Sequence, residues 1–457
     1  MSEKPALEPT ACDAPIASAI KLVCVLVALV STSCLVSACK SNAKLDPLAG
    51  TGPHPILPAP LESALPTVNT APAKGWPVNT MPTVVAGFTV NAFADQLDHP
   101  RWLYVLPNGD VLTAETDAPP KPDDAKGIRG WVMRRIMRNA GSGAPSANRI
   151  SLLRDVDGDG VAETKTTFLT GLNSPFGMVL VGDDFYVADT DALLRFAYKT
   201  GETSIDAEPV KIADLPAGTI NHHWTKNVIA NADGSRLYVT VGSNSNAAEN
   251  GMGNEVNRAD ILEIDPKTGE TVVFASGLRN PNGLAWQPQS GALWTAVNER
   301  DELGGDLVPD YMTRVNRNAF YGWPYSYYGA HVDNSVQPQR PDLVATAVVP
   351  DYALGAHTAS LGLAFDSGSA FPARYEGGAF VGQHGSWNRR PAVGYKVILV
   401  PFANGMPSAP PEDFLTGFLD DQGNARGRPV GVAFDKRGDL LIADDVGGRV
   451  WRVSAKR

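Results

Sequence analysis

From Val84 onward the chain is built of short apolar runs separated by turns, and long amphipathic helical patterns are nearly absent. One unit recurs: an apolar run of about four residues, a Gly/Asp/Asn turn and a second apolar run, the signature of a β-hairpin. It is clearest in Arg101-Trp102-Leu103-Tyr104-Val105, the turn Pro107-Asn108-Gly109-Asp110, and Val111-Leu112-Thr113-Ala114. It returns at Phe176-Gly177-Met178, Asn227-Val228-Ile229, Asn282-Gly283-Leu284, Leu361-Gly362-Leu363 and Val430-Gly431-Val432. Further strands such as Ile261-Leu262-Glu263-Ile264 close each unit. Six copies predict an all-β chain folded as a six-bladed β-propeller, whose four-stranded sheets bury one another. A string of β-sandwiches is the alternative, but each unit is too short to bury a core of its own.

Two segments break the pattern. Gly127 to Ala140 carries Trp131-Val132-Met133-Arg134-Arg135-Ile136-Met137, a basic amphipathic helix on a loop, read as a solvated insertion. Tyr325 to Tyr352 is a long insertion near the predicted loop face, where it would shape the entrance to a site.

Ahead of the repeats, Lys21 precedes an apolar run from Leu22 to Leu35 that ends in Leu35-Val36-Ser37-Ala38-Cys39. The run is short for a membrane span and closes on small residues, so residues 1–39 read as a secretory signal. Small residues before a cysteine resemble a bacterial lipobox, which makes Cys39 the lipidated first residue of the mature chain. A plain signal peptide and an uncleaved anchor are the other readings; in each the body is exported, on the periplasmic side of the membrane. Residues 40–82, rich in Pro, Ala, Thr and Gly without periodicity, read as a disordered linker. Residues 83–457 are then the propeller.

Composition narrows the partners. A net charge of −10 with 19% charged residues argues against nucleic acid. All four cysteines lie within the first 39 residues, so the body has no disulfide, no thiolate metal site and no cysteine nucleophile.

In a propeller the loop entering each inner strand points at the central axis. Those positions hold Arg101, His222-His223, Arg279-Asn280, His357 and Arg426-Gly427-Arg428, with Gln383-His384 on a later strand of the fifth unit. Arginines and histidines on one face would form a local positive funnel, and guanidinium forks suit planar polycarboxylates. Taken singly, each arginine reads as readily as half of a surface ion pair.

The body, from about Val84 to Val453, resembles the pyrroloquinoline quinone (PQQ)-dependent sugar dehydrogenases, the sorbosone dehydrogenase group most closely and the soluble glucose dehydrogenases more distantly. The resemblance is carried by Gly-Leu-Arg-Asn-Pro-Asn-Gly-Leu-Ala (277–285), Asn-Glu-Arg-Asp (298–301), Tyr-Gly-Trp-Pro (321–324), Gln-His-Gly-Ser-Trp-Asn-Arg (383–389) and Arg-Gly-Arg-Pro-Val-Gly (426–431). It implies PQQ and calcium as cofactors, a sugar, sugar aldehyde or polyol as substrate, and a quinone or cytochrome-like electron acceptor. By the same resemblance His223 is the base, with hydride passing to PQQ, and Arg279 and Asn280 stabilise charge on the quinone oxygen. Arg426 and Arg428, joined by Arg101, grip the cofactor carboxylates. His384 stands where the soluble glucose enzymes have a lysine. Their calcium-holding Gly-Pro falls near Arg300-Asp301, and their substrate glutamine has no clear counterpart near Leu172.

A separate candidate ion site is Asp155-Val156-Asp157-Gly158-Asp159-Gly160-Val161-Ala162-Glu163, whose alternating carboxylates resemble a calcium loop. Thr166 replaces the glutamate of the twelfth EF-hand position, and the flanks read as hairpin strands, so an acidic turn is the alternative. Asp301 is a further candidate ion ligand. Two rival functions on the same fold are a metal-dependent lactonase or related hydrolase and a non-catalytic glycan-binding propeller.

Overall fold

Each repeat supplies the two inner strands of a four-stranded antiparallel sheet, and six such sheets form a ring. The computed structural model describes residues 42–61, 67–120, 135–143, 145–368 and 370–456. Blade one is Pro100–Val105, Val111–Glu115, Arg149–Arg154 and Thr164–Leu169; blade two runs from Met178–Val181 to Val210–Asp214. Blade three spans Val228–Ala230 to Thr271–Ser276, so Asp260–Ile264 is its third strand and not its last. Blades four and five run from Asn280–Trp286 to Tyr352–Ala356 and from Ser360–Phe365 to Glu412–Thr416. Blade six takes Pro429–Phe434, Leu440–Asp444 and Arg449–Ala455 from the end of the chain and its outer strand, Phe88–Ala94, from the beginning.

The small residue in most repeat starts has a steric cause. A Cβ on Gly283 would lie 2.6 Å from the Leu361 carbonyl, and one on Gly431 2.8 Å from the Arg101 carbonyl. Gly177 and Gly362 abut the backbone of the next blade in the same way. Inner strands therefore touch backbone to backbone around the axis. The core lies between blades: Trp102, Leu112 and Ile150 of blade one pack on Phe176, Phe185 and Phe196 of blade two. Each such side chain, fully buried, contributes about 1.5–3 kcal/mol relative to exposure.

Residues 40–82, expected to be a free linker, are corrected where they are described: they form a strap on the ring. Thr51–Gly52 pairs with the outer strand of blade four, and Thr83–Val84 with that of blade five. Between these, Asn69 bonds Trp387 and Arg389, Lys74 bonds Ala425, and the Trp76 indole donates to Asp444 at 2.6 Å. The strap has no periodicity because its anchors are backbone groups and isolated side chains, not a repeated apolar face. Of the expected amphipathic helix, 127–134 lies outside the described residues; 135–139 is helical. The 325–352 insertion joins the third and outer strands of blade four, where Asp333 pairs with Arg300. Cys39 also lies outside the described residues. Among those described, no helix is long and apolar enough to cross a bilayer.

Candidate active site

Two sets of loops share one face of the ring, those entering each first strand and those joining second to third strands. Antiparallel register places their ends side by side: Pro100 opposite Glu115, Asn280 opposite Asn298, Ser360 opposite Gln383 and Pro429 opposite Asp444. The predicted cationic and histidine residues all sit on this face.

His223 is half-buried, and its Nδ1 lies 2.7 Å from the Ser243 carbonyl and 3.1 Å from the Ser243 hydroxyl. A carbonyl only accepts, so Nδ1 carries the proton of the neutral ring and the basic lone pair falls on Nε2. Ser243 in turn donates its N–H to the Arg279 carbonyl. Gly242 leaves room for both His223 and Asn280, because a Cβ there would collide with the Asn280 Oδ1 and the His223 Cβ together. The His223 imidazole and the Asn280 amide are thus neighbours.

On the opposite side of the axis Arg101 and His384 converge on one oxygen of Asp445, at 2.7 and 2.8 Å. Burial opposes the Asp445 charge, but His384, Arg101 and His99 outweigh it and hold the carboxyl well below its ordinary range. Burial lowers the His384 pKa against the opposing pull of Asp445. The Arg101 guanidinium lies 5.7 Å from the Trp224 ring, joining blade one to the His223 loop. Arg428 is buried over Tyr395, and its Nη1 and Nη2 reach the His384 and Ala71 carbonyls at 3.4 Å. Asp444, pushed up to about 6 by burial, accepts the Arg428 and Gly447 amides and the indoles of Trp76 and Trp451.

Three predicted roles change. Arg279 does not aim its donors at the axis: Nε and Nη2 bond Asn246, and Nη1 bonds the Glu299 carbonyl at 2.7 Å. Its charge lies 3.7 Å from Asp301. Asp301 is held by the protein itself: its carboxylate Oδ1 takes hydrogen bonds from His357 and Asn388, and its carbonyl from Asn246 and Arg300. His357 faces acceptors at both nitrogens, Asp301 and the Gly304 carbonyl; despite burial its pKa is raised, so it serves as a buried imidazolium. Arg426 is half-buried, with its charge felt by Asp420, and no contact joins it to the Arg101–Asp445 cluster. The acidic turn Asp155–Glu163 joins the third and fourth strands of blade one, at the face opposite the site. Its four carboxylates lie within 4.8 Å of one another, and Arg437 stands 3.4 Å from Asp155.

Asp445, Ser243 and Asn246 were missed in the sequence. The available signal is the polar residue just past each second strand: Glu299, His384 and Asp445 share that phase.

Among the buried polar atoms without partners, three belong to predicted site residues on this face: Nε of Arg101, Nε of Arg428 and Oδ1 of Asn280. Two guanidinium N–H groups call for acceptor oxygens, and the amide oxygen calls for a donor. This set fits a ligand carrying carboxylate or carbonyl oxygens next to a hydroxyl.

Comparison with known proteins gives the same architecture. A family model described as TrAA12-like matches residues 334–456. The chain is 36% identical over 137 residues to a pyrroloquinoline quinone-dependent pyranose dehydrogenase of Coprinopsis cinerea, covering 26% of this chain and 18% of that protein. The holo pyranose dehydrogenase PQQ domain of the same organism superposes with a TM-score of 0.65 at 20% identity, over 84% of this chain and all (100%) of that one, a likeness of fold. An uncharacterized protein of Borreliella burgdorferi is 30% identical over 298 residues, 63% of this chain and 77% of that protein. A second family model, described as a domain of unknown function (DUF7133), matches residues 124–386, more than half of the chain, and it is to the DUF7133 family that the chain belongs.

Proposed function

We propose that the protein is an exported quinoprotein dehydrogenase that oxidises a sugar, a sorbosone-like sugar aldehyde or a polyol, tethered to the membrane on its periplasmic side through a lipidated Cys39. The observation that carries this reading is the set of buried, unpartnered polar atoms on Arg101, Arg428 and Asn280, on the same face of the ring as the half-buried His223. Arg101 and Arg428 would hold the carboxylates of PQQ, with His384 beside them. When bound, the quinone supplies the two-electron acceptor. His223, its Nδ1 proton fixed by Ser243, takes the substrate hydroxyl proton at Nε2, a contribution of roughly 10²–10⁴-fold in rate. Asn280 orients the hydroxyl, and Arg279 locks the loops of blades three and four behind it. The acidic turn Asp155–Glu163 is a structural calcium loop in this reading, remote from the chemistry. Electrons leave to a quinone or cytochrome-like carrier.

The test is reconstitution of the apo-protein with PQQ and calcium, followed by dye reduction on a panel of aldoses, ketoaldehydes and alcohols. His223→Ala is expected to abolish turnover while retaining quinone uptake, and the Arg101→Ala/Arg428→Ala pair to weaken uptake itself. Lactone hydrolysis without any dye reduction would replace this reading with the hydrolase one.

A further inference from the structure

We propose that the functional face of the ring lies flat against the lipid bilayer that holds the Cys39 anchor. The proposal rests on the anchoring part of the proposed function and adds an orientation to it. The strap begins on the functional face, not at the far side of the ring. Asn42 donates to the Asn388 carbonyl at 2.9 Å and accepts from the Arg390 amide at 2.7 Å, and Ala43 donates to the Arg390 carbonyl. The Lys44 and Leu45 amides bond Asp306. Residues 388–390 and 306 lie on the loops joining second to third strands in blades five and four. Cys39 precedes Asn42 by three residues. An extended chain of that length spans at most about 11 Å. No free spacer therefore separates a lipid on Cys39 from the rim of the site, and the ring cannot turn its other face to the membrane.

Two further features of the same face suit a bilayer surface. Leu61 is 60% exposed, although its backbone is bonded to Leu303 and its Cβ sits above Gly304. Nearby on the strap Leu48 and Ile56 are also more than half exposed. The loop between the second and third strands of blade one opens on this face too. Its described helical turn carries Ile136 and Met137 among Arg135 and Arg138. Its described end is tied to the strap by the Ala73 amide, 2.9 Å from the Asn139 carbonyl. Apolar side chains among arginines are the composition of a segment that lies in a headgroup layer. The acidic turn Asp155–Glu163 is on the opposite face.

Because the body has no cysteine, single thiols can report the orientation. Full-length acylated protein carrying Leu61→Cys, Met137→Cys or Val156→Cys, labelled with an environment-sensitive fluorophore, is placed in phosphatidylethanolamine/phosphatidylglycerol vesicles containing spin-labelled lipid. Quenching several-fold stronger at 61 and 137 than at 156 is expected. Equal quenching at all three positions, or stronger quenching at 156, overturns the orientation while leaving the anchor intact. The mass of the Cys39 peptide is read in parallel. An unmodified Cys39 overturns the orientation and the anchor together, and dye reduction in the same preparation shows that the dehydrogenase reading is untouched.

Discussion

Asp445 gathers Arg101 and His384 onto one buried oxygen. Removing its charge leaves the Arg101 guanidinium buried without a counter-ion, which by comparison with other buried pairs costs about 3 kcal/mol or more. Asp445→Asn is therefore expected to lower the melting temperature of the apo-protein, and added PQQ to recover more of it than in the unaltered protein, since carboxylates then take the vacated role. Equal recovery in thermal-shift titrations would argue against Arg101 as a carboxylate clamp. His223 and Arg101 were legible because each precedes an apolar run at the same phase of the repeat. Which of Arg279 and Asn280 faces the axis was not legible: adjacent residues of an extended chain point to opposite sides, and composition does not say which side is in. Asp445 was hidden for another reason. The repeat signal marks the starts of first strands, whereas antiparallel pairing brings the ends of second strands to the same place.

The blades are held in register at their inner edges. Gly362→Ala forces a methyl group against the Val430 backbone, which has no room to yield. A loss of about 1–3 kcal/mol in denaturant unfolding is expected, whereas Gly50→Ala, with open space around it, is expected to change little. The hairpins were readable because alternation and turn residues are local signals. The strap was not, because Asn42, Asn69 and Trp76 act one at a time at sequence distances beyond 300 residues. On the far face, calcium is expected to raise the melting temperature by offsetting four close carboxylates, and Asp157→Asn/Asp159→Asn to abolish that rise. A calcium response unchanged by the double substitution would place the ion elsewhere.

Across the whole molecule, buried acids set the pH range of stability. Burial raises Asp260 to about 8, and Asp189 and Glu299 to about 7. In the unfolded chain these groups lose their protons near the ordinary carboxylate value of about 4. Between these limits the folded state holds more protons, so stability is full at the acidic end and is lost as pH rises through about 7 to 8. Melting temperatures are expected to fall between about pH 4 and about pH 8, and Asp260→Asn to flatten that fall. A profile that rises over this interval would show these carboxyls to be ionised in the fold. The ring itself is closed by Phe88–Ala94 against Arg449–Ala455, where Thr89 lies 365 positions from its partner Ser454. During synthesis the first of these strands leaves the ribosome long before the second exists. The sixth sheet therefore waits, open-edged, until Arg449–Ala455 is made, and loss of that strand deprives Phe88–Ala94 of its mate.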